Sequence, residues 1–503
     1  MCLSFHAGAW RLAPRVARAK SGRILQDPQR TRLPCSHVRG LSMAAGDQGG
    51  DAAEDDKPII DFEALQRRIS ALQAVDSASW RQLEMEGPSP SARYFPSLTP
   101  LEGDEDHLVL FGGLEASTGV MKNDLWLLDL KSPIGGAPRW KLLNVGGEAP
   151  PGRAYHDAVL VKGRCLVVHG GLLQNGCRWQ DTWRLDLESE ILEWELIGDP
   201  TDAFSTPRAR YHHTLVASDD GKIVLFGGHD YSRKALRDTW LLDAGNVYRE
   251  ARTMSWRKLS PTPQARAYHA ATMLGDWMLI SGGEKQDGST SNEMWILDLD
   301  LGIWRSVDKE LAQDGRMRHA MCAVDVQNSS GGVVALCGGQ GRSAGDPRSA
   351  DVVLIKVGEK NMEVTGTMPK AEGDEIFKLP VTELKAQQGV TEAPEGLRRE
   401  AALMRLDTGQ LVLFGGNDGE QTDQFGDGYH QYNLADSWVA DAPVGGVSVG
   451  DWRRIAVEAD ADELGPGCAV AALKKKGKVV VVDVDTRRGG ARKTRVFAVS
   501  FSR

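Results

Sequence analysis

Six times in this chain an apolar run ends in a pair of glycines. The runs are LVLFGG at Phe111-Gly112-Gly113, LVVHGG at His169-Gly170-Gly171, IVLFGG at Phe226-Gly227-Gly228, MLISGG at Ser281-Gly282-Gly283, VALCGG at Cys337-Gly338-Gly339 and LVLFGG at Phe414-Gly415-Gly416. The first five recur every 55–58 residues and the sixth follows after 77. After each pair except the fifth come a polar or acidic residue and a tryptophan in a strand-like run: Trp126, Trp183, Trp240, Trp295 and Trp438. Farther on a second tryptophan recurs, at Trp140, Trp194, Trp256, Trp304 and Trp452. Glycine supplies 56 of the 503 residues, in no collagen period, which points to many tight turns between short strands.

A period of this length, with four short strand signals per unit, predicts an all-β propeller of four-stranded blades. One blade cannot bury both of its faces, so blades stack around an axis and large side chains fill the wedges between them. Between units stands a Pro/Gly-containing turn followed by R-x-x-H, at Arg153/His156, Arg210/His213, Arg266/His269 and Arg316/His319. The last forty residues read as a degenerate seventh repeat: Gly465–Leu473, Lys478–Asp485 with Asp483-Val484 in place of Gly-Gly, and Arg495–Ser502. Its fourth strand is missing there but present at the other end, as Trp80-Arg81-Gln82-Leu83. The expectation is seven blades, with the N-terminal strand completing the C-terminal blade and removing two unpaired sheet edges; a six-bladed ring is the alternative. In the fifth unit Met362-Glu363-Val364 reads as the fourth strand, and an insertion follows at about residues 365–395.

The double glycine followed by a spaced aromatic pair resembles the kelch-repeat family, over roughly residues 80–500. Six concordant units make that resemblance specific for fold and uninformative for activity, because the scaffold hosts unrelated functions. With no BTB or F-box module evident before Trp80, the chain is most similar to stand-alone kelch proteins, including effectors of vesicle trafficking. The resemblance implies a protein-interaction scaffold that grips a partner segment, often an acidic one, on one face of the propeller.

That face is predicted from the topology. In a blade entered from its innermost strand, the turn before the first strand and the loop after Gly-Gly lie on one side. The candidate binding residues are Arg93, Arg153, Arg210, Arg266 and Arg316, with Tyr155, Tyr211, Tyr268 and Arg318 beside them and His229 on the loop 229–236. Guanidiniums suit bidentate recognition of carboxylates; each one is equally able to pair with a carboxylate or carbonyl of the framework. The histidines His156, His213, His269 and His319 recur once per blade, so they read as framework hydrogen-bonding groups and not as metal ligands.

No Gly-rich phosphate loop, G-x-S-x-G elbow or H-E-x-x-H occurs, so neither catalysis nor a cofactor is expected. The competing reading is an isomerase, lyase or hydrolase working at the channel mouth. The seven cysteines are scattered without a C-x-x-C, which argues against a zinc cage or disulfide framework. No apolar stretch reaches 18 residues, so no membrane span is predicted. Net charge is −9, and it is uneven: residues 1–42 hold eight Lys and Arg against Asp27, leaving the rest at −16, which disfavours nucleic acid as a partner. The basic leader has the composition of a mitochondrial or plastid transit peptide, while an alternative start at Met43 gives a cytoplasmic protein, the destination expected here. Residues 1–56 are expected to be a disordered tail, and residues 57–79 a short amphipathic helix with Ile60, Phe62, Leu65, Ile69 and Leu72 on one face.

Overall fold

The computed structural model describes residues 77–502, except 102–105, 132–136, 175–178, 203, 247–249, 260–262, 308–314, 327–331, 342–351, 358–374, 380–400, 408, 416–436, 442–452, 458–468, 474–476 and 485–492. The expected N-terminal tail and most of the expected helix lie outside these residues. The end of that helix range is β-strand, since Ser77–Gln82 is extended and paired throughout.

Seven antiparallel sheets follow one another along the chain, and each is one blade. Blade 1 consists of Ser97–Pro100, His107–Phe111, Leu125–Asp129 and Arg139–Leu142. Blades 2 to 6 repeat this order within residues 157–196, 214–259, 270–306, 320–379 and 402–454. Blade 7 is built from Ala469–Leu473, Lys478–Val484 and Thr494–Ser502, with Ser77–Gln82 as its fourth strand. Trp80 pairs with Val499 and Gln82 with Phe497, and the Leu83 N–H donates to the Val496 carbonyl at 2.9 Å. The ring is therefore closed by strands from opposite ends of the sequence. Ala456–Val457 adds a short parallel strand outside Ser79–Trp80 and covers the last edge.

The fourth strand of blade 5 is a correction to the sequence reading. It is Glu375–Leu379, paired with Val352–Val357, and not Met362-Glu363-Val364. EIFKL has neither the tryptophan that marks most fourth strands nor a strict polar/apolar alternation, so its sequence does not separate it from the insertion. Residues 362–364 and the remainder of the proposed insertion lie outside the described residues.

The core is seven wedges, one between each pair of neighbouring blades. Side chains alternate along each second strand, so Leu108 and Leu110 pack toward blade 7 while Val109 and Phe111 pack toward blade 2. The same rule sends Val224 and Phe226 to the seam with blade 4, and Ile223 and Leu225 to the seam with blade 2. Every second strand is therefore apolar on both faces, which explains the continuous runs before Gly-Gly. The repeated tryptophans fill the outer parts of the wedges, with Trp304 fully buried against Phe226 and Trp194 against Phe111. At the closure Trp80, 1% exposed, stacks on Phe414 of blade 6 at 4.8 Å.

Candidate functional site

The two kinds of loop predicted to share a face are joined there by short ribbons. Arg93–Tyr94 pairs with Leu114–Glu115, and Arg266–Ala267 with Glu284–Lys285. Single bridges join Ala154 to Leu172, Tyr211 to His229 and Met317 to Gln340. In blades 1 to 5 the loop after the second strand thus lies against the turn that opens the same blade, on the side of one channel mouth.

The turn arginines lie beneath this face, not on it. Arg153 and Arg210 have no exposed surface, and Arg93, Arg266 and Arg316 are buried. Arg153 donates from both Nη atoms to the Asp181 carboxylate at 2.9 Å and from Nη1 to the Gly170 carbonyl at 3.1 Å. Arg210 does the same with Asp238 at 2.9 and 2.8 Å and Gly227 at 2.9 Å. Arg93 pairs with Asp124, Arg266 with Glu293 at 3.0 Å, and Arg316 reaches the Gly338 carbonyl at 3.2 Å. The acids are the residues two places before each repeated tryptophan, and the Trp126 and Trp240 indoles donate to the same carboxylates at 2.7 and 2.6 Å. The Arg210 charge holds the Asp238 carboxyl down at about 2 against the upward push of its burial. The predicted ring of guanidiniums is therefore a set of internal clamps, because a buried cation needs a carboxylate and carbonyls around it.

The glycine pair is required by the next blade. Gly227 and Gly228 have φ of +62° and +92°, and a Cβ on Gly227 would stand 2.5 Å from the Arg266 carbonyl oxygen. That carbonyl accepts the Gly228 N–H at 3.0 Å, tying blade 3 to blade 4. The histidines tie blades together as well. His156 bonds Ser97 at 3.0 Å, His269 bonds Thr214 at 2.8 Å and His319 bonds Ser281 at 3.0 Å, each on the preceding blade. Burial pushes His156, His213 and His319 down to about 3, with neighbouring arginines adding to it, so they stay neutral. Among the described residues no cluster of His, Cys, Asp and Glu has the geometry to hold a metal ion.

What the mouth does present is the residue just before each turn histidine or its equivalent. Phe95, Tyr155, His212, Tyr268 and Arg318 all adopt the left-handed backbone conformation, with φ between 52° and 57°. Holding a bulky residue there costs about 1 kcal/mol or more each. Their side chains form a ladder across five successive blades. Phe95 stacks on Tyr155 at 4.1 Å, Tyr155 meets His212 edge-on at 5.6 Å, His212 lies 4.1 Å from Tyr268, and the Arg318 guanidinium sits 4.2 Å over Tyr268. Main-chain bonds run alongside, from Tyr268 N to His212 O at 3.3 Å and from Arg318 N to Tyr268 O at 2.9 Å. All five side chains are half-buried.

Of the sequence candidates, Tyr155, Tyr268 and Arg318 are on this ladder. Tyr211 and His229 are buried directly behind it, with the His229 ring 5.3 Å from Tyr268 and its Nε2 3.7 Å from Glu284. Burial raises the Glu284 carboxyl, and the charge of Arg318 partly opposes that. Phe95 and His212 are not among the sequence candidates, because each follows a tyrosine, Tyr94 and Tyr211, that fits the same pattern. Counting two residues on from each turn arginine would have found both.

A profile of the Attractin/LZTR1 β-propeller matches residues 63–287. An F-box/kelch-repeat protein of Arabidopsis thaliana is 30% identical over 245 residues, which is 43% of this chain and 50% of that protein. Adagio-like protein 3 of Oryza sativa is 32% identical over 286 residues, 55% of this chain and 41% of that one. Multiple epidermal growth factor-like domains protein 8 of Rattus norvegicus is 31% identical over 205 residues, 39% of this chain and 7% of that protein. The chain spans half or less of each of these relatives. Seven four-stranded blades, six of them bearing the glycine pair, together with the β-propeller profile and a relative named for the kelch repeat, identify the chain as a kelch-type β-propeller.

Proposed function

We propose that this chain is a protein-interaction module that captures an extended partner segment at the channel mouth, across the ladder of Phe95, Tyr155, His212, Tyr268 and Arg318. The observation that carries this reading is the repeated left-handed backbone at five positions bearing large side chains. Strain of this kind persists where the surrounding structure enforces it, and it concentrates at binding sites. Tyrosine and arginine are also the residues on which interface energy concentrates. Kelch propellers are generally interaction modules, and the F-box/kelch relative supports an adaptor or scaffold role. An acidic segment is favoured because Arg318 stands on the ladder and Arg233, Lys234 and Arg237 are exposed on the loop of blade 3.

The test uses the full chain and random peptides displayed on phage. A Tyr155→Ala, Tyr268→Ala, Arg318→Ala protein should melt close to the unaltered one and lose the peptides selected on it. A stable triple variant that keeps every peptide would show that the mouth is not the site. The scattered cysteines support a cytosolic location, and a reporter fused to residues 1–56 that enters a mitochondrion or plastid would overturn that.

A further inference from the structure

The first strands of the seven blades neighbour one another around the channel. The first residue of each stands at the mouth end, opposite the residue before Gly-Gly or its equivalent. Blades 4 to 7 carry alanine there, blades 1 and 3 carry Ser97 and Thr214, and blade 2 carries Asp157, the one charged residue of the set. The frame asks for no carboxylate at this position. Where a hydroxyl occupies it, the turn histidine of the next blade bonds it, His156 to Ser97 at 3.0 Å and His269 to Thr214 at 2.8 Å. Asp157 does not take that part, since both nitrogens of His213 lack partners among the described residues. Its oxygens accept instead the Ala158 and Leu215 N–H groups, each at 2.9 Å, so the carboxylate joins the inner edges of blades 2 and 3.

Those two bonds leave it half satisfied, because an ionised carboxylate has about four lone-pair sites. No cation forms an ion pair with it among the described residues. Arg153 and Arg210, the turn guanidiniums of the same two blades, are held by Asp181 and Asp238. Burial lifts the Asp157 carboxyl to about 6, against the pull of its two peptide N–H groups, so it is ionised at neutral pH. An anion in such a place is costly without a counter-charge, yet Asp157 is only half-buried and keeps surface that a ligand can touch. The ladder is most open at the same two blades. Tyr155 and His212, two residues before Asp157 and three before Leu215, meet edge-on at 5.6 Å, where the other three contacts are at 4.1–4.2 Å.

We propose that Asp157 is a binding residue, which receives one Lys or Arg side chain of the partner segment at the mouth end of the channel, beside Tyr155 and His212. This rests on the interaction reading above and adds to it the charge and the place of one side chain. The acidic character favoured above belongs to other residues of the segment, since Arg318 stands on blade 5, two blades beyond this step. An ammonium or guanidinium supplies the counter-charge and the N–H donors for the remaining lone pairs, and the rings beside it add cation–π attraction. A neutral or acidic side chain in the same place would desolvate the carboxylate without compensation, which sets the preference.

The experiment selects phage-displayed random dodecapeptides on the full chain and on its Asp157→Thr variant. That variant gives blade 2 the residue that blade 3 carries and should melt close to the unaltered protein. Peptides enriched on the unaltered protein should share one Lys or Arg position. Replacing that residue by Gln in the synthetic peptide should weaken binding about tenfold or more on the unaltered protein and less than about twofold on Asp157→Thr. As a measurement that needs no variant, carbodiimide should join a Lys at that position to the Asp157 carboxylate, read by mass spectrometry of the digest. Enriched peptides with no shared basic position, equal weakening on both proteins, or cross-links to other carboxylates and none to Asp157 would overturn the site and leave the interaction reading standing. No enrichment on the unaltered protein would overturn both. If Asp157→Thr melts early, Asp157→Asn makes the same comparison by removing the charge alone, and the cross-link decides where neither variant folds.

Discussion

Arg210→Ala separates the framework from the recognition surface more sharply than any other single change. The Arg210 guanidinium has no exposed surface and donates to the Arg208 and Gly227 carbonyls and to both oxygens of Asp238. Its removal strands the Asp238 carboxylate, itself 9% exposed, with the Trp240 indole at 2.6 Å as its remaining side-chain hydrogen-bond partner among the described residues. Breaking a buried ion pair by deleting one member costs about 3–5 kcal/mol, against about 5–15 kcal/mol for the whole stability of a domain. Arg210→Lys keeps the charge, but one ammonium cannot reproduce the fork, so it should recover less than half of the loss. Equilibrium urea unfolding followed by tryptophan fluorescence reads the difference directly. Arg318→Ala in the same assay should cost far less than Arg210→Ala, because Arg318 is half-buried and its contact with Tyr268 is worth about 1 kcal/mol. An Arg210→Ala protein as stable as the parent but unable to bind peptide would refute this division of labour and return the guanidiniums to the binding face.

Acid should open the propeller between about pH 5 and 6.5. His156, His169, His213, His269 and His319 are buried and depressed, so the unfolded chain binds more protons below its ordinary histidine pKa of about 6.5, and stability present above that pH is lost as it falls. At about 1.4 kcal/mol per pH unit and group, five histidines remove about 10 kcal/mol by pH 5; Asp157, raised by burial to about 6, returns only about 1–2 kcal/mol. A melting temperature that is flat from pH 7 to 5 would contradict this. Deleting residues 1–84 removes the closing strand with Trp80 and should give an aggregating protein, seen by light scattering, while deleting residues 1–56 should leave the melting temperature unchanged; equal melting of the two would count against closure. His169→Phe should change stability by no more than about 1 kcal/mol in either direction, since it gives up the bond between Nδ1 and the Thr182 hydroxyl at 2.9 Å but also removes an Nε2 that lacks a partner among the described residues, and Phe111 and Phe226 fill the equivalent place against His156 and His269. A loss of more than about 2 kcal/mol in urea unfolding would mean that His169 is doing something a ring of carbon cannot.

The ring was legible because its signals are backbone requirements. A glycine pair in left-handed conformation, repeated at near-constant spacing, is demanded by the close approach of the next blade, so it survives in the sequence even where Phe becomes His169, Ser281 or Cys337. Closure was legible for the same reason: Trp80 carries a fourth-strand motif with no blade before it, and a sheet edge needs a partner. The fourth strand of blade 5 was not legible. Glu375–Leu379 has no tryptophan and is far from Val352–Val357 in sequence, and alternation alone does not fix which of two short runs pairs. The arginines were legible as a repeat and ambiguous as a site, since a guanidinium suited to an acidic peptide is equally suited to an internal aspartate. The clue lay in Asp124, Asp181 and Asp238, each two residues before a tryptophan, at positions where a framework partner was required.

The turn that opens each blade solves two problems with one backbone shape. Arg210 must face inward to clamp its own blade, and His213 must face the preceding blade; two residues lie between them. Reversing direction over so short a span puts the residue before the histidine into the left-handed region, at φ 52° for His212 and 54° for Tyr268. Its side chain is then carried to the channel mouth. Glycine would meet the same demand without strain, yet Phe, Tyr, His, Tyr and Arg occupy the five positions. A purely structural turn has no use for that cost, which ring stacking at 4.1 Å offsets only in part. The frame therefore sets where the recognition residues stand but not what they are. The chemistry of the mouth can change blade by blade, from Phe95 to Arg318, while the Arg, Gly-Gly and Trp positions beneath it stay nearly uniform.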